Sequence, residues 1–197
     1  MKLEKTLEEK IKEEVVRLLE KGKPDWDIPH TLSAVKWMKK LVDEGGADEK
    51  ILVTAIYFHD TGYPELEKNY SFEESMAAKK MHAARGAKFA RDFMEKSDEF
   101  SKEEIEEICR LIENHDVHDN ILENDLNRQL IFEADGLAQL DWEDCPPNFD
   151  KENCLKWIEK YFEVERPMNL WKTDLGLKNI VELREKAEVY WDKKQNK

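Results

Sequence analysis

Glycine and proline are scarce in this chain of 197 residues, which contains seven of the former and six of the latter. Both residue types mark turns and interrupt helices, so their scarcity beside many charged helix formers favours helices with short connections. No internal repeat and no low-complexity tract occurs. A chain of this length can enclose one substantial core. The sequence therefore predicts an all-α fold in a single domain.

Cysteine and long apolar stretches are also in short supply. The three cysteines, Cys109, Cys145 and Cys154, are odd in number and form no CxxC pair, which excludes a disulfide framework and a zinc knuckle. No apolar run approaches the 18 or so residues of a membrane span. The first twenty residues are charged throughout and do not resemble a secretion signal. We expect a cytoplasmic protein.

Positive charge is the third deficit, because 32 basic residues face 45 acidic ones and leave a net charge of −13. Such a surface repels the phosphates of nucleic acids, and no basic stripe with interleaved aromatic residues compensates. We expect neither a nucleic acid polymer nor a membrane as partner. A small anionic substrate remains compatible with this charge if bound metal ions supply a local positive potential.

A histidine and an aspartate stand at the end of the most apolar stretch of the chain. His59 and Asp60 follow the run 51–58 directly. Burying an ionised carboxylate is costly unless a positive charge lies beside it, and no lysine or arginine adjoins the pair. A divalent metal ion would supply that charge.

Further polar residues occupy apolar helical faces elsewhere in the chain, namely His30, His82, His115 and Asp135. A lone histidine on such a face is usually a hydrogen-bonded core residue. Four of the five histidines on inner faces, together with two aspartates, favour a metal site instead, since imidazole and carboxylate are the usual ligands of zinc, iron and manganese. His118 is interpreted as a solvated turn residue and Asp116 as a capping or supporting residue.

The pairing of His59 with Asp60 suits a site for two ions. One carboxylate can bridge two ions while the neighbouring imidazole binds one of them. His30, His59, Asp60 and Asp135 are the predicted ligands of a first ion, and His82 and His115 those of a second. If only one ion binds, His82 or His115 could act as a general acid.

The ordered set His30, His59-Asp60-Thr61-Gly62 and Asp135 resembles the HD-domain superfamily of metal-dependent phosphohydrolases. The stretch 82–87 and the run Glu113-Asn114-His115 strengthen the resemblance, which covers about residues 25–142. It implies an all-α helical bundle, the metal ligands His30, His59, Asp60 and Asp135, and one or two divalent ions of iron, manganese, zinc, cobalt or magnesium.

The resemblance also implies a reaction. Metal-activated water would attack phosphorus in an ester or anhydride of a small phosphorylated metabolite or nucleotide, and Asp60 would orient or deprotonate that water. Arg85, three residues after His82, and more weakly Lys88 are predicted to bind the phosphate. A surface ion pair is the alternative interpretation of either cation. A di-iron oxygenase and a non-catalytic, metal-stabilised regulatory module remain alternative functions.

The chain divides into three parts on this interpretation. Residues 1–24 form an N-terminal helix packed on the core, residues 25–142 the metal-binding core, and residues 143–197 a C-terminal helical cover of the same domain. Self-association into a homo-oligomer is left open.

Helix limits follow from the apolar period and the capping residues. We expect helices over 3–21, from His30 to Gly45-Gly46, from Asp48 to the His59-Asp60 pair, and from capping boxes at Ser71 and Ser101. Three further helices are expected over about 124–140, 151–165 and 175–193, and residues 25–29 are expected to form a loop.

Overall fold

The computed structural model describes residues 1–63, 72–117, 125–147 and 150–195, with the backbone alone for 72–80, 194 and 195. The predicted capping residue Ser71 and the predicted turn residue His118 lie outside these ranges. Within them the chain forms eight α-helices and no strand, which confirms the all-α prediction. The helices are α1 (Lys5–Leu19), α2 (Pro24–Gly45), α3 (Glu49–Phe58), α4 (Phe72–Met94), α5 (Lys102–Glu113), α6 (Leu126–Leu140), α7 (Lys151–Lys160) and α8 (Asp174–Gln195).

The short helix α3 lies at the centre of the bundle. Residues 52–59 are all buried, which explains why the sequence of this helix is apolar on every side. Helices α1, α2, α4, α5 and α6 all contact α3, and α2 and α6 pack against each other alongside it. The residues that end α3 are therefore delivered to the middle of the bundle.

Capping residues set several helix limits where the sequence predicted them. The Asp48 side chain accepts a hydrogen bond from the backbone N–H of Ile51 and begins α3. Ser101 and Glu104 form the predicted capping box of α5. Gly46 ends α2 with a positive φ of 65°, a conformation that costs glycine little.

The beginning of α2 corrects one sequence-based boundary. We expected a loop over 25–29 with His30 opening the helix, but α2 begins at Pro24 and His30 lies in its second turn. Proline is tolerated at the first helical position because the N–H it lacks would have no helical acceptor there. Asp27 closes this first turn by accepting a hydrogen bond from the Lys23 backbone N–H at 2.7 Å. His30 is thus an interior helical residue rather than a terminal one.

The chain after α6 folds back over that helix. Helix α7 continues into a π-helical turn over Tyr161–Glu165, a short 3₁₀ turn follows at Met168–Leu170, and α8 then packs along α6 and α7. In the ranges that the structure describes, no helix is long and apolar enough to cross a membrane.

Candidate metal centre

Five separate segments bring the six predicted ligands together. His30 comes from α2, His59 and Asp60 from the turn after α3, His82 from α4, His115 from the turn after α5 and Asp135 from α6. The four histidines and Asp135 are at most 4% exposed. The Asp60 side chain is 17% exposed, so the centre is reached from the side of Asp60.

The first cluster consists of His30, His59, Asp135 and one oxygen of Asp60. His30 Nε2 lies 3.3 Å from His59 Nε2, 3.1 Å from Asp135 Oδ1 and 3.5 Å from Asp60 Oδ2. His59 Nε2 lies 3.2 Å from Asp60 Oδ2 and 3.6 Å from Asp135 Oδ1. Four donor atoms therefore surround one common point.

The second cluster uses the other oxygen of Asp60. His82 Nε2 and His115 Nε2 are 3.0 Å apart, and each lies 3.5 Å from Asp60 Oδ1. Asp116 adds a carboxylate 3.5 Å from His82 Nε2 and 3.8 Å from His115 Nε2. The sequence predicted Asp116 to be a capping residue or a residue that supports the ligands. The structure places its carboxylate directly beside the two histidines of the second cluster.

These separations fit the first coordination shell of a small divalent cation. Ligands at about 2.1 Å from a zinc-sized ion are about 3.4 Å apart in a tetrahedron and about 3.0 Å apart in an octahedron. Within each cluster, neighbouring ligand atoms are 3.0 to 3.6 Å apart. This range includes the distances expected for both geometries. The donor set of imidazole nitrogens and carboxylate oxygens suits the same ions.

Backbone hydrogen bonds direct the metal-facing nitrogens of two histidines. His59 Nδ1 lies 2.8 Å from the carbonyl oxygen of Ile56, and His115 Nδ1 lies 2.7 Å from that of Ile112. A carbonyl oxygen only accepts, so each Nδ1 carries the proton and donates it. In the neutral ring Nε2 then has a free lone pair, and in both residues that atom faces the cluster.

Two aromatic rings lie against histidines of the centre. Trp26 is stacked on His30 at 6.0 Å between ring centroids, with the planes within 3° of parallel. Tyr63 is stacked on His82 at 4.4 Å and 11°. In the described part of the chain His30 Nδ1 has no hydrogen-bond partner, so no backbone carbonyl anchors this ring in the way that His59 and His115 are anchored.

Charges in the centre oppose the effect of burial. Burial lowers the pKa of His59, but Asp60 and Asp135 outweigh it and hold that pKa well above the usual value. The pKa of His115 is raised in the same way by Asp60 and Asp116. Burial raises the pKa of Asp60, yet His59 and His115 bring it well below the usual range. The metal-free centre therefore retains protons that a cation would displace.

Asp27 is a buried acidic residue near the centre that the sequence analysis did not select. Burial raises its pKa to about 6, the hydrogen bond from Lys23 opposes the shift, and the charge of Asp60 adds to it. Its position in the first turn of α2, four residues after Lys23, gave no signal beyond that of a helix start.

Arg166 is the second residue that the sequence analysis missed. Its guanidinium is 2% exposed and forms an ion pair with Asp135 Oδ2. Burial raises the pKa of Asp135, but Arg166 and the histidines hold it well below the usual range. No local pattern connects two residues that stand 31 positions apart, although a buried carboxylate by itself calls for a positive partner.

The two predicted phosphate-binding cations lie on the outer side of α4. Arg85 is exposed and lines a groove whose walls include Thr61 and Tyr63, and among the described residues it has no ion-pair partner. Lys88 is exposed and forms an ion pair with Asp92 at 2.7 Å. Arg85 therefore shares a groove with Tyr63, whose ring is stacked on His82, although none of the six predicted ligands lines that groove. Lys88 is paired with Asp92.

Comparison with known proteins gave one match. The family model described as HD domain matches residues 28–140, which is more than half of the chain and contains all six ligands. No curated protein and no solved structure matched the chain.

Proposed function

Because the chain belongs to the HD-domain superfamily of metal-dependent phosphohydrolases, we propose that it hydrolyses a phosphate ester or anhydride in a small phosphorylated metabolite or nucleotide. The reaction takes place at a centre of two divalent cations. The observation that carries this proposal is the division of Asp60, whose Oδ2 belongs to one ligand cluster and whose Oδ1 belongs to the other. Asp60 would thus be the residue that the two cation positions share.

The metal ions supply a coordinated water of lowered pKa as nucleophile and offset the negative charge of the phosphate. The chain supplies the placement. His30, His59 and Asp135 would hold the first position, and His82 and His115 the second, with Asp60 common to both through its two oxygens. Asp60 is the most exposed of the six proposed ligands, at 17% of its side chain, and is the residue proposed to orient or deprotonate the attacking water.

The phosphate also needs a contact outside the metal centre. Arg85 is the proposed contact, because its guanidinium lines the groove next to Tyr63 and can bind two phosphate oxygens at once. Lys88 is the weaker proposal, since it would have to leave Asp92. We expect Arg85→Gln to raise KM while metal content stays unchanged. Arg17→Gln is the matched control, because Arg17 lines the same groove but is already paired with Glu14.

The substrate class follows from the charge of the molecule. A net charge of −13 disfavours a nucleic acid polymer and leaves the attraction of an anion to the metal ions and a few cations. A small phosphorylated substrate in the cytoplasm, with neither a membrane nor a nucleic acid as partner, is the corresponding proposal.

The decisive experiment is a screen of the purified protein, loaded in turn with manganese, iron, cobalt, zinc or magnesium. Release of inorganic phosphate from nucleotides and phosphorylated metabolites is the readout. Activity and metal should both be lost in Asp60→Ala, whereas Asp43→Ala, which removes an exposed carboxylate paired with Lys2, should retain both. Full metal occupancy in Asp60→Ala would contradict the assignment of the centre.

The alternatives predict different results in the same experiment. Oxygen uptake by the iron-loaded protein that depends on an added substrate, without phosphate release, would replace hydrolysis with the di-iron oxygenase reaction. Metal binding with no turnover of any tested compound would favour a metal-stabilised regulatory module.

A further inference from the structure

Arg166 is among the largest fully buried side chains in the described part of the chain, and its guanidinium forms two hydrogen bonds to α6. One terminal nitrogen donates to Asp135 Oδ2 and the other to the backbone carbonyl of Phe132. Its guanidinium carbon also lies 4.5 Å from the centre of the Phe132 ring. The planar, forked guanidinium thus binds a carboxylate and a carbonyl on successive turns of one helix.

The segment that carries Arg166 is fixed to α6 at several points. The π-helical turn before it is closed by a 2.7 Å hydrogen bond from the Arg166 backbone N–H to the Tyr161 carbonyl. The Tyr161 hydroxyl donates to the Gly136 carbonyl at 2.8 Å, and Trp171 Nε1 donates to the Arg166 carbonyl at 3.3 Å. The backbone N–H groups of Lys172 and Thr173 donate to the Glu133 carboxylate at 2.7 and 3.0 Å. We call residues 161–173 the α6-docked segment.

Gly136 shows how closely this segment approaches the helix. A Cβ atom at that position would lie 2.8 Å from the Tyr161 hydroxyl, 2.9 Å from a ring carbon of Trp171 and 3.0 Å from Cδ of Arg166. Carbon atoms in proteins do not normally approach so closely. The absent side chain of the residue next to Asp135 therefore makes room for Arg166.

The two oxygens of Asp135 have different partners as a result. Oδ2 is held by Arg166, while Oδ1 accepts a hydrogen bond from Gln139 Nε2 at 3.1 Å and faces His30 at 3.1 Å and His59 at 3.6 Å. A free carboxylate could rotate or offer both oxygens to one cation, whereas this one presents a single oxygen in a fixed direction. We propose that Arg166 is a positioning residue of the metal centre, which holds Asp135 as a ligand through one oxygen and makes the α6-docked segment part of the centre.

This inference does not follow from the family match, which ends at residue 140. It rests on the metal site of the proposed function but not on the hydrolytic reaction. It also differs from a purely structural ion pair, because it requires metal binding at Asp135 to change when Arg166 is replaced in a protein that remains folded.

The test compares metal binding by the full chain of the wild type with that of Arg166→Met, Arg166→Lys and Tyr161→Phe. Dissociation constants for Co²⁺ come from competition with a chromophoric chelator. The absorption spectrum of the saturated Co²⁺ form then reports coordination number and geometry. Replacing residues that orient metal ligands typically weakens binding about 10–100-fold, and we expect Arg166→Met to fall in this range with an altered spectrum.

Two variants keep the test informative if Arg166→Met does not fold. Arg166→Lys keeps the charge but lacks the fork that reaches Asp135 and Phe132 together, so we expect weakened binding and an altered spectrum here as well. Gly136→Ala leaves Arg166 unchanged and favours the helical conformation of α6, but its added methyl group displaces the α6-docked segment. We therefore expect weakened Co²⁺ binding and an altered spectrum for this variant too. Tyr161→Phe removes only the neighbouring hydroxyl from the same segment and should bind Co²⁺ within about threefold of the wild type.

The possible outcomes separate this inference from the proposed function. A wild-type protein that binds no metal would defeat the proposed function itself. A wild type that binds Co²⁺, with folded Arg166→Lys and Gly136→Ala variants that match its affinity and spectrum, would overturn the positioning role alone. If Tyr161→Phe weakened Co²⁺ binding as much as the Arg166 variants do, Arg166 would be only one of several packing contacts. That result would also overturn the positioning role.

Discussion

At the scale of single residues, the ligands of this centre divide their two polar atoms between two tasks. His59 and His115 donate Nδ1–H to a backbone carbonyl and turn Nε2 inward. Asp135 gives one oxygen to Arg166 and the other to the His30 side, and Asp60 serves one cluster with each oxygen. A side chain with one atom anchored has little freedom to rotate, so these ligands are already oriented before a cation arrives.

The separation of the two clusters predicts different effects of replacing single histidines. His82 Nε2 lies 3.5 Å from Asp60 Oδ1, whereas His30 Nε2 lies 3.5 Å from Asp60 Oδ2. We expect His82→Ala to lose the ion at the second position and to retain the ion at the first position. Elemental analysis together with anomalous scattering would identify the remaining position. Loss of both ions from His82→Ala would show that the clusters do not bind independently.

A second prediction at this scale concerns pH. Asp60 and Asp135 outweigh burial and raise the pKa of His59, so the metal-free centre keeps a proton above the usual histidine pKa of about 6.5. The stability contributed by this proton is fully present below about pH 6.5 and is lost as pH rises through the raised pKa. A cation must displace the same proton, so metal affinity should keep rising between about pH 6 and 8.

Two measurements check the sign of this effect. Chelator competition across the pH range gives the affinity, and thermal unfolding of the metal-free protein gives the stability. With rising pH, affinity should increase and metal-free stability should decrease. A metal affinity that does not change over this range would contradict the raised pKa of His59.

The sequence could identify candidate ligands one at a time, because a polar residue on an apolar helical face is a local pattern. His30, His82, His115 and Asp135 were selected in this way, and the structure brings all four to the centre with His59 and Asp60. Local patterns contain no information about which oxygen of Asp135 faces inward. Arg166 joins Asp135 only through the folding back of the chain after α6, so helical periodicity could not reveal it.

At the scale of helices, the centre depends on how closely neighbouring elements approach. A Cβ atom on Gly62 would lie 1.9 Å from the His82 carbonyl oxygen and 2.5 Å from the backbone nitrogen of Gly86. A Cβ atom on Gly86 would in turn lie 2.8 Å from the Phe58 carbonyl oxygen. These two glycines let α4 lie directly against the end of α3, and so place His82 next to Asp60.

Enlarging one of these glycines should separate the two helices. We expect Gly62→Ala to lower the free energy of unfolding by at least about 1–3 kcal/mol, the usual cost of overpacking, and to weaken the second metal position. Urea unfolding and metal stoichiometry are the measurements. Gly45→Ala is the control, since a Cβ there would meet nothing within 4 Å. Unchanged stability and metal content in Gly62→Ala would contradict the close approach of α3 and α4.

Helix existence was easier to predict than helix limits. The capping residues Asp48 and Ser101 have short-range partners, and both begin the helices as expected. Pro24 and Pro29 suggested a loop, yet α2 contains both. Pro24 gives up no helical hydrogen bond, because the first helical N–H has no acceptor in the helix. Pro29 lies inside the helix and leaves the Asp25 carbonyl without its usual helical donor, so the helix here overrides the local preference of proline.

At the scale of the whole molecule, the metal centre joins elements that are distant in sequence. Its ligands come from α2, the ends of α3 and α5, α4 and α6, and Arg166 extends the connection to the α6-docked segment. The unfolded chain has no such preformed site, so the free energy of metal binding stabilises the folded state.

Removal of the metal should therefore destabilise the whole protein. Free metal at a hundred times its Kd contributes about 2.7 kcal/mol. For a chain of this size that corresponds to a fall in Tm of about 5–10 °C when a chelator removes the metal. Thermal unfolding followed by circular dichroism, with excess metal and with chelator, measures the difference. An unchanged Tm would mean that the folded protein does not hold the ions.

The stacking of Trp26 on His30, with ring centroids 6.0 Å apart, gives the molecule an optical probe of its own. A paramagnetic ion such as Cu²⁺ or Co²⁺ bound through His30 would lie close enough to an indole to quench its fluorescence. We expect emission at tryptophan wavelengths to fall stepwise as Co²⁺ occupies the first position, and Trp26→Phe to remove that component of the quenching. Occupancy of the centre could then be followed in real time without labelling the protein.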